Sequence, residues 1–582
     1  MANKGVLWNG KYYTIPQAAS RIDSSALARS PLGGNNKLAI LGNLLGLLEP
    51  KTVVKISSPT QALQMIHPSR EEERLAVQLA FDPSPGSDIQ GASEVYLVHV
   101  APSTQATLTF SAVLTLTSFL YGLTANQIKV KIESGTTSGK KVTVQYATSE
   151  AEVFDNLALE SFSIQYTGAG SAATMSITPT AASHSLTTVC TGATDDNLDM
   201  DLNTFTTIQD LVDAINATGK YTATVLTSEP NQDLSMELDA VTTQDILTAA
   251  YTANSNLQAI VDGINAKSGY VAAERVADAG AAPANVEWTY LAGGTNGTVT
   301  IDDWQAAFDT LKTMDIDFVM PLTSDASVHA MGDTHCDYMS GPNGKSERRQ
   351  FIGGALQTWT SEANRITAIA SLASAARLLN SDRTMHVGLG CKQYDPNGKS
   401  KLYPGYVTAA MYAGIAAGGS PVLPLTKKYL RCLGLEVELR VSEIADLIEA
   451  GIAVPIPDTV QGAGYVISRQ VTTWNQDNDL YRIEFSIGRG ADYIASEVRK
   501  RHDLLIGKPG TEQMDQTIVN ITNAVLEAAK RDQLIRSYDP DKTALRADNT
   551  IRYVDYSAEP VPPINFIFST YYLLPTSYTI GL

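Results

Sequence analysis

Gly-Lys-Ser occurs twice in the chain and is the first pattern that could do chemistry. A phosphate-binding loop places another glycine five residues before this tripeptide, so that backbone amides surround the phosphates. The corresponding positions are Met339 before Gly344-Lys345-Ser346 and Gln393 before Gly398-Lys399-Ser400. The sequence therefore predicts no nucleotide site, and residues 395–398 (Asp-Pro-Asn-Gly) are typical of a turn.

Histidines and cysteines offer two further chemistries, metal binding and nucleophilic catalysis. His329, His335, Cys336 and Asp337 are residues of metal-ligating type near one another in the sequence. Histidines six residues apart fall on different faces of a helix, and no second cluster completes four ligands. Cys391 and His386 lack the sequence context of a nucleophile and its base, and the four cysteines show no C-x-x-C spacing. We predict no catalytic residue, no cofactor, no metal and no enzyme activity.

The basic run Arg499-Lys-Arg-His502 lies where we predict the end of a helix over residues 491–505. Cations there offset the negative end of the helix dipole. The alternative is a charged docking face for an acidic partner, together with Lys530, Arg531 and Arg536 on the next helix. Both interpretations place these residues at the surface.

The chain has 582 residues, with 43 Lys and Arg against 61 Asp and Glu, and a net charge of −18. Residues 101–290 hold 7 basic and 20 acidic residues, so most of the excess is local. This balance argues against direct nucleic-acid binding, which needs cations to neutralise phosphates. We recognise neither a secretory signal nor a run of about 20 apolar residues. We therefore expect that the protein is made in the cytoplasm and does not insert into a membrane.

The elements that must position these residues alternate between strands and helices on both sides of a β-rich middle. The patterns predict strands at 38–42 and 95–100 with helices at 58–66 and 71–81 between them. After residue 291 they predict a helix opened by a Thr300/Asp303 capping box, a strand at 317–321, a helix at 363–379, a strand at 385–389 and a helix at 406–417. Alternating strands and helices indicate an α/β core.

The middle of the chain changes abruptly at Thr104 to Thr-, Ser-, Ala- and Gly-rich sequence with period-two strands at 127–132 and 141–146. Residues 208–217 followed by Tyr221 resemble residues 257–266 followed by Tyr270, which predicts a duplicated helix–strand element. The simplest topology makes residues 104–288 an excursion from one core domain.

Beyond residue 437 we predict a further α+β unit. Its predicted elements are a helix capped by Ser442 and ending at Gly451, strands at 464–474 and 483–487, and helices at 491–505 and 514–537.

The last residues differ in kind. Val561-Pro-Pro563 is stiff, and residues 564–574 are apolar on both alternating faces. Their four aromatic side chains could bury roughly 600–1,000 Å², so exposure would make the segment an aggregation template. It is either an internal strand of its own domain or a strand added to another subunit, where it could meet residues 5–15. The residues expected at such an inter-subunit contact are Val6, Trp8, Tyr12, Tyr13, Phe566, Phe568, Tyr571, Tyr572 and Leu574.

Taken together and in order, several stretches resemble the sheath proteins of contractile bacteriophage tails and related injection machines. They cover about two thirds of the chain and comprise residues 36–42 with 56–62, 95–100, 291–297 with the following helix, 403–417, 444–451, 489–507 and the apolar C-terminal arm. Residues 489–507 read like the R-x-x-D-x-I region of that family.

The resemblance implies an α/β and α+β multidomain protein with an α/β core, an outward-facing β-rich insertion, a C-terminal α+β domain and extended terminal arms. The implied segments are an N-terminal arm at 1–20, core at 21–103, insertion at 104–288, core at 289–436, C-terminal domain at 437–560 and C-terminal arm at 561–582. It also implies contacts between the C-terminal domain and an inner tube, for which the candidates are Arg499, Lys500, Arg501, Lys530, Arg531 and Arg536.

The function expected from the resemblance is that of a structural virion protein. Many copies would form a helical sheath around the inner tail tube, bound by baseplate and tail terminator proteins, assembled in the host cytoplasm and contracting to drive the tube through the host envelope. Two alternatives stay open at this point: a surface adhesin or filament module, suggested by the Thr/Ser-rich middle, and a hydrolase with an unrecognised carboxylate site.

Overall fold

The computed structural model describes residues 6–8, 11–13, 36–86, 89–180, 183–276, 280–458, 464–571 and 573. The elements before the insertion are strands β1 (Val6–Trp8), β2 (Lys11–Tyr13), β3 (Lys37–Gly42), β4 (Val53–Ile56) and β5 (Glu94–His99) and helices α1 (Pro59–Met65) and α2 (Glu71–Phe81). Ser58 caps α1 and Pro59 occupies its first turn, as the sequence predicts.

The middle of the chain is built mainly of strands. They are β6 (Gln105–Phe110), β7 (Leu114–Tyr121), β8 (Ile128–Ser134), β9 (Lys140–Tyr146), β10 (Glu152–Leu157), β11 (Glu160–Tyr166), β12 (Ala172–Thr180), β13 (Ser183–Thr191), β14 (Asp199–Asp201), β15 (Tyr221–Val225), β16 (Val241–Asp245), β17 (Tyr251–Asn254), β18 (Val271–Arg275) and β19 (Val286–Tyr290). Two helices interrupt them, α3 (Ile208–Ala217) and α4 (Asn256–Asn265).

After the insertion the chain returns to alternating elements. They are α5 (Ile301–Thr310), β20 (Phe318–Pro321), α6 (Ala326–Ser340), β21 (Arg349–Gly353), α7 (Glu362–Leu379), β22 (Thr384–Val387), β23 (Cys391–Tyr394), β24 (Ser400–Tyr403), α8 (Gly405–Gly418), β25 (Tyr429–Leu430) and β26 (Gly434–Leu435).

The C-terminal part contains short strands and two long helices. Its elements are α9 (Val441–Glu449), β27 (Ile452–Ala453), β28 (Pro455–Pro457), β29 (Tyr465–Ile467), α10 (Leu480–Ile483), α11 (Phe485–Asp503), α12 (Glu512–Arg531), β30 (Ile535–Tyr538), β31 (Ala544–Asp548), β32 (Ile551–Asp555) and β33 (Ala558–Pro560). Among the described residues, no helix is both long enough and apolar enough to cross a bilayer.

A seven-stranded sheet lies at the centre in the order β27-β22-β21-β20-β3-β5-β4. Its neighbours from β27 to β5 are parallel, and β4 is an antiparallel edge. Strand β3 comes before the insertion and β20 after it, yet they pair directly. Helices α2 and α8 cover one face of the sheet, and α5 and α6 cover the other. The two flanks of the insertion therefore fold as one sheet.

Helix α8 can pack closely because its residues are small. A Cβ added at Gly414 would lie 2.4 Å from the carbonyl oxygen of Ala80 in α2. Any side chain at residue 414 would therefore force the two helices apart.

The middle of the chain forms two lobes, each with its own apolar core. One core joins α4 to the sheets β18-β7-β6 and β10-β9-β8-β19, and the other joins α3 to the sheets β15-β11-β17 and β14-β13-β12-β16. The ends of the middle part meet where the Thr104 amide donates to the Thr295 carbonyl at 2.9 Å. The lobe around α4 contains strands from before and after the lobe around α3 in the sequence, so the lobe around α3 is inserted into the lobe around α4.

Each lobe contains one helix followed by one strand at the two sequence stretches that resemble each other. Asn216 near the end of α3 exchanges two hydrogen bonds with the backbone of Ala223 in β15, at 2.9 and 2.8 Å. Asn265 at the end of α4 does the same with Ala273 in β18, at 2.9 and 2.7 Å. In both copies the asparagine amide fixes the return of the strand against its helix.

Four sequence predictions for the C-terminal part depart from the structure. The helix expected over residues 514–537 ends at Arg531 and β30 follows it, and the strand expected over residues 464–474 covers only Tyr465–Ile467. Residues 483–487 are not a strand: α10 ends at Ile483 and α11 begins at Phe485. Every residue from 484 to 490 is buried, so alternation of apolar residues could not distinguish helix from strand. Helix α9 begins at Val441 rather than after a Ser442 cap, because the Glu443 carboxylate accepts the Arg440 amide at 2.7 Å.

Candidate assembly surfaces

The C-terminal arm leaves the body of the protein at a defined residue. From Val561 to Asn565, half-buried and exposed residues alternate, and from Phe566 onward every described residue is exposed. Phe568 is 93% exposed, and its ring stacks on that of Phe566 at 6.3 Å between centroids. Residues two apart on one face are typical of extended backbone.

The described part of this arm, residues 561–571 and 573, pairs with no strand of its own chain. The internal-strand interpretation is therefore wrong for these residues. Tyr572 and Leu574, which were also expected at an inter-subunit contact, lie outside the described residues. The exposed Phe566, Phe568 and Tyr571 form a surface that none of the described residues covers.

At the other end of the chain, β1 and β2 pair with each other in the register Val6 to Tyr13, Leu7 to Tyr12 and Trp8 to Lys11. The expected β-forming segment is therefore a hairpin. Within the described residues, its sheet does not include the C-terminal arm. The parts of the two arms that the structure describes are therefore not paired with each other within one chain.

Five of the six basic residues predicted to face a tube form ion pairs. Both terminal nitrogens of Arg499 bind the largely buried Glu347 carboxylate. Lys500 and Arg501 share Glu497 on their own helix. The remaining contacts are Arg531 with Asp532 and Arg536 with Glu559.

The basic residues lie in two places rather than on one face. Arg499 and Lys500 line a polar cavity of about 150 Å³ between α11 and the start of β20. Lys530, on α12, and Arg536, on β30, line a groove of about 520 Å³ that also contains Val561 at the root of the arm. The structure therefore brings Lys530 and Arg536, but not Arg499, to the arm.

The histidines and cysteines considered for catalytic chemistry are buried in the core, where the rings of His329 and His386 lie 6.2 Å apart between centroids. Burial raises the pKa of the Cys391 thiol to about 11 and lowers the pKa of His386 to about 3, so neither group suits nucleophilic attack. His335 contacts Arg348 at 2.9 Å, whereas His329 contacts the Thr323 carbonyl. Among the described residues, no three His, Cys, Asp or Glu side chains are arranged to hold a metal ion.

The two Gly-Lys-Ser tripeptides are parts of turns. The Asp395 carboxylate accepts the backbone amides of Asn397 and Lys399 at 2.9 and 2.7 Å between β23 and β24, which confirms the predicted turn. The other tripeptide follows the end of α6.

Four residues at the arm roots were missed by the sequence analysis: Asn36, Glu484, Arg489 and Asn565. Arg489 donates to the Asn36 side-chain oxygen at 2.9 Å, and Asn565 donates to Glu484 at 2.9 Å. The partners are separated by 453 and 81 positions. Arg489 did stand in the R-x-x-D-x-I stretch, but no local signal predicted its contact.

Comparison with known proteins gives relatives along nearly the whole chain. The chain is 28% identical over 593 aligned residues to the tail sheath protein of Bacillus phage SP01, covering 98% of this chain and 97% of the relative. It is 24% identical to the tail sheath protein of Staphylococcus phage Twort, covering 90% and 91%. No protein-family model matches the chain.

The fold also matches solved structures. The crystal structure of the sheath tail protein from Desulfitobacterium hafniense superposes with a TM-score of 0.55 and 11% identity, covering 94% of this chain and 96% of that one. The sheath tail protein from Listeria innocua gives 0.55 and 14%, covering 92% and 94%. At this identity, the likeness concerns the fold, and it confirms the mixed α/β class expected from the sequence.

The curated relatives bear the name of a structural tail protein rather than of an enzyme. Sequence similarity along the chain and the shared fold confirm the expected resemblance to the tail sheath proteins of bacteriophages.

Proposed function

We propose that many copies of this chain polymerise into the helical sheath of a contractile tail, with the C-terminal arm joining each copy to a neighbour. The observation that carries this proposal is the exposed apolar arm from Phe566 onward. A head-to-tail contact that does not close on itself produces a helix.

The arm supports strand addition because the arm and its root offer the two halves of such a contact. Its extended backbone presents aromatic side chains on one face. Beside the root, the β30–β33 and β31–β32 pairs are each two-stranded among the described residues, so each has unpaired edges. An arm from one copy would complete such an edge in the next, where main-chain hydrogen bonds give affinity and aromatic pockets give specificity.

The segment arrangement gives each part a role in such a sheath. The core, residues 21–103 with 289–436, and the C-terminal domain would form the lattice. The insertion at 104–288 would face outward, since its acidic surface favours solvation and opposes side-to-side association. The N-terminal arm at residues 1–20 would make a second connection between copies.

The inner tail tube would lie against the C-terminal domain. Lys530 and Arg536 fit this contact best among the basic residues, because Lys530 is exposed and both line the open groove at the arm root. Arg499 is held by Glu347 and would fix α11 to the core instead. Baseplate and tail terminator proteins would bind the two ends of the sheath, and assembly would take place in the host cytoplasm.

Contraction would draw on two arrangements of the same interfaces. Small differences in each copy would add along the sheath and drive the tube through the host envelope without nucleotide hydrolysis. ATP hydrolysis that is required for contraction of purified sheaths would contradict this part of the proposal.

The test is to end the chain at Asn565. We expect the shortened protein to keep the circular dichroism and melting temperature of the full chain, because every described residue from 566 onward is exposed. We also expect it to remain monomeric in analytical ultracentrifugation, whereas the full chain forms tubes in electron micrographs.

A matched pair of triple variants separates the arm from general surface hydrophobicity. Serine at Phe566, Phe568 and Tyr571 should abolish tubes, whereas serine at Tyr290, Tyr338 and Tyr394, which are 57%, 49% and 62% exposed, should not. Tubes formed by the shortened chain would refute the role of the arm.

A further inference from the structure

The root of the C-terminal arm is tied to one carboxylate. Glu484 is 1% exposed, and its Oε1 accepts hydrogen bonds from Asn565 at 2.9 Å and from Arg469 at 2.6 and 2.9 Å. Asn565 is the last half-buried residue before the exposed part of the arm. Glu484 therefore fixes the point from which the arm is free.

The root of the N-terminal part is tied five residues further along the same segment. Arg489 is 7% exposed, and it donates to the Asn36 side chain at 2.9 Å and to the carbonyls of Gly419 and Ser420 at 3.1 Å. Asn36 also donates to Gly419 at 3.1 Å. The next residue, Lys37, is held through its amide by Asp317 at 2.9 Å, immediately before β20.

The segment between Glu484 and Arg489 is well suited to act as one rigid piece. The Phe485 ring is 1% exposed and packs against Phe351 at 5.2 Å and Phe318 at 6.2 Å, both in the central sheet. Ser486 accepts a hydrogen bond from Gln470 at 2.6 Å. Five helical residues advance about 7.5 Å and turn by about 140°, so the two charged side chains leave the helix on different sides.

We propose that residues 484–489 form a clamp that holds the root of the C-terminal arm at Asn565 and the chain at Asn36, directly before β3, and couples these two points mechanically. A pull on the C-terminal arm would shift the first turn of α11 and so change the hold on Asn36. The proposal rests on the proposed role of the arms in linking copies. Glu484 and Arg489 are positioning residues here, since they act on the chain ends through Asn565 and Asn36.

The coupling is testable in the unassembled full-length chain with variants that spare the clamp itself. Asn565→Ala and Asn36→Ala each remove one arm contact and leave Glu484 with Arg469 and Arg489 with the two carbonyls. Hydrogen exchange measured by mass spectrometry should show that Asn565→Ala speeds exchange of the Lys37 amide by about twofold or more, although the two roots lie far apart in sequence. Asn520→Ala, on the exposed face of α12, is the matched control and should leave Lys37 exchange unchanged.

A double-mutant cycle gives a second measure. In urea unfolding, the combined effect of Asn36→Ala and Asn565→Ala on the folding equilibrium should differ from the product of the single effects by about twofold or more, whereas Asn520→Ala with Asn565→Ala should be multiplicative. Unchanged Lys37 exchange together with a multiplicative cycle would overturn the clamp. Tube formation is scored separately by electron microscopy, so loss of the proposed function and loss of the coupling give different results.

Discussion

The insertion, residues 104–288, and the body of the protein, which is the core together with the C-terminal domain, satisfy their buried polar groups in different ways. In the insertion, neutral hydroxyls pair with each other: Ser161 with Ser255 at 2.8 Å and Thr188 with Tyr221 at 2.7 Å. In the body, buried arginines pair with carboxylates. Asp492 accepts from both Arg349 at 2.8 Å and Arg383 at 2.7 Å.

The difference follows from what each region has to join. The Thr188–Tyr221 pair lies in the lobe around α3, and the Ser161–Ser255 pair lies where the chain passes from that lobe to α4. Both pairs satisfy groups that burial would otherwise leave unpaired. The ion pairs join α11 to the start of β21 and to the residue before β22. A charged pair is demanding in geometry and costly when broken, so it fixes how these elements meet.

The largest effect should come from removing the carboxylate that joins α11 to the sheet. We expect Asp492→Ala to lower the free energy of unfolding by about 3–5 kcal/mol, because Arg349 and Arg383 would stay buried without their common partner. Urea unfolding followed by circular dichroism measures the loss.

Ser161→Ala in the insertion is the matched comparison and should cost only about 1–2 kcal/mol, since it breaks a neutral hydrogen bond. Asp492→Asn keeps the side-chain volume and should lie between the two variants. Equal losses for Asp492→Ala and Ser161→Ala would mean that the two regions do not differ in this respect.

The body should also respond to acid through a buried histidine. His99 ends β5 with no exposed surface and contacts Ser103 at 2.8 Å, and burial lowers its pKa from the usual 6.5 to about 4. The folded state binds this proton less readily than the unfolded state, so stability is fully present above pH 6.5 and falls as the pH drops from 6.5 toward 4. Between pH 7 and pH 5, His99 alone should account for about 2 kcal/mol.

His99→Gln removes this titration and should reduce the loss of stability on acidification by that amount. Burial raises the pKa of Asp317 to about 6, which acts in the opposite direction in the same range. The variant and the natural chain share that contribution, so their difference isolates His99. Between pH 7.5 and pH 9 the difference should be constant, and a difference that still changes there would contradict the assignment.

What the sequence predicted correctly was local. The capping box of Thr300 and Asp303 is present, and helix α2 has the predicted bounds of Glu71–Phe81. The repeated helix–strand stretch of the insertion was recognisable because each copy lies within about 20 residues of sequence. The apolar arm was visible because a run of aromatic side chains has no polar alternation.

What the sequence could not predict depends on distant partners. Arg349 and Asp492 are 143 positions apart, and nothing near either residue signals that it is buried. The prediction of a strand over residues 483–487 was wrong for the same reason. This segment is buried on all sides because it packs against the central sheet, and nothing in its own sequence indicates that packing. The contacts of Asn36 and Asn565 also depend on distant residues. Neither asparagine has a local sequence signal, and each is recognisable only from its hydrogen bond to Arg489 or to Glu484 in the folded chain.

The smallest expected effect is the loss of a helix N-cap, which should cost a similar amount in the insertion and in the body. Thr207 caps α3 in the insertion by accepting the Asp210 amide at 3.1 Å, and Thr300 caps α5 in the body by accepting the Asp303 amide at 3.3 Å. Alanine at either position should cost about 1 kcal/mol, because each leaves one helix amide without a side-chain acceptor. Calorimetry of the two variants measures this cost as a lower melting temperature.

Asp303 also binds Lys51 at 2.8 Å, so the body can hold this helix start after the cap is lost. A larger cost at Thr207 than at Thr300 would therefore show that ionic contacts in the body compensate for a lost cap, which the hydroxyl pairs of the insertion cannot do.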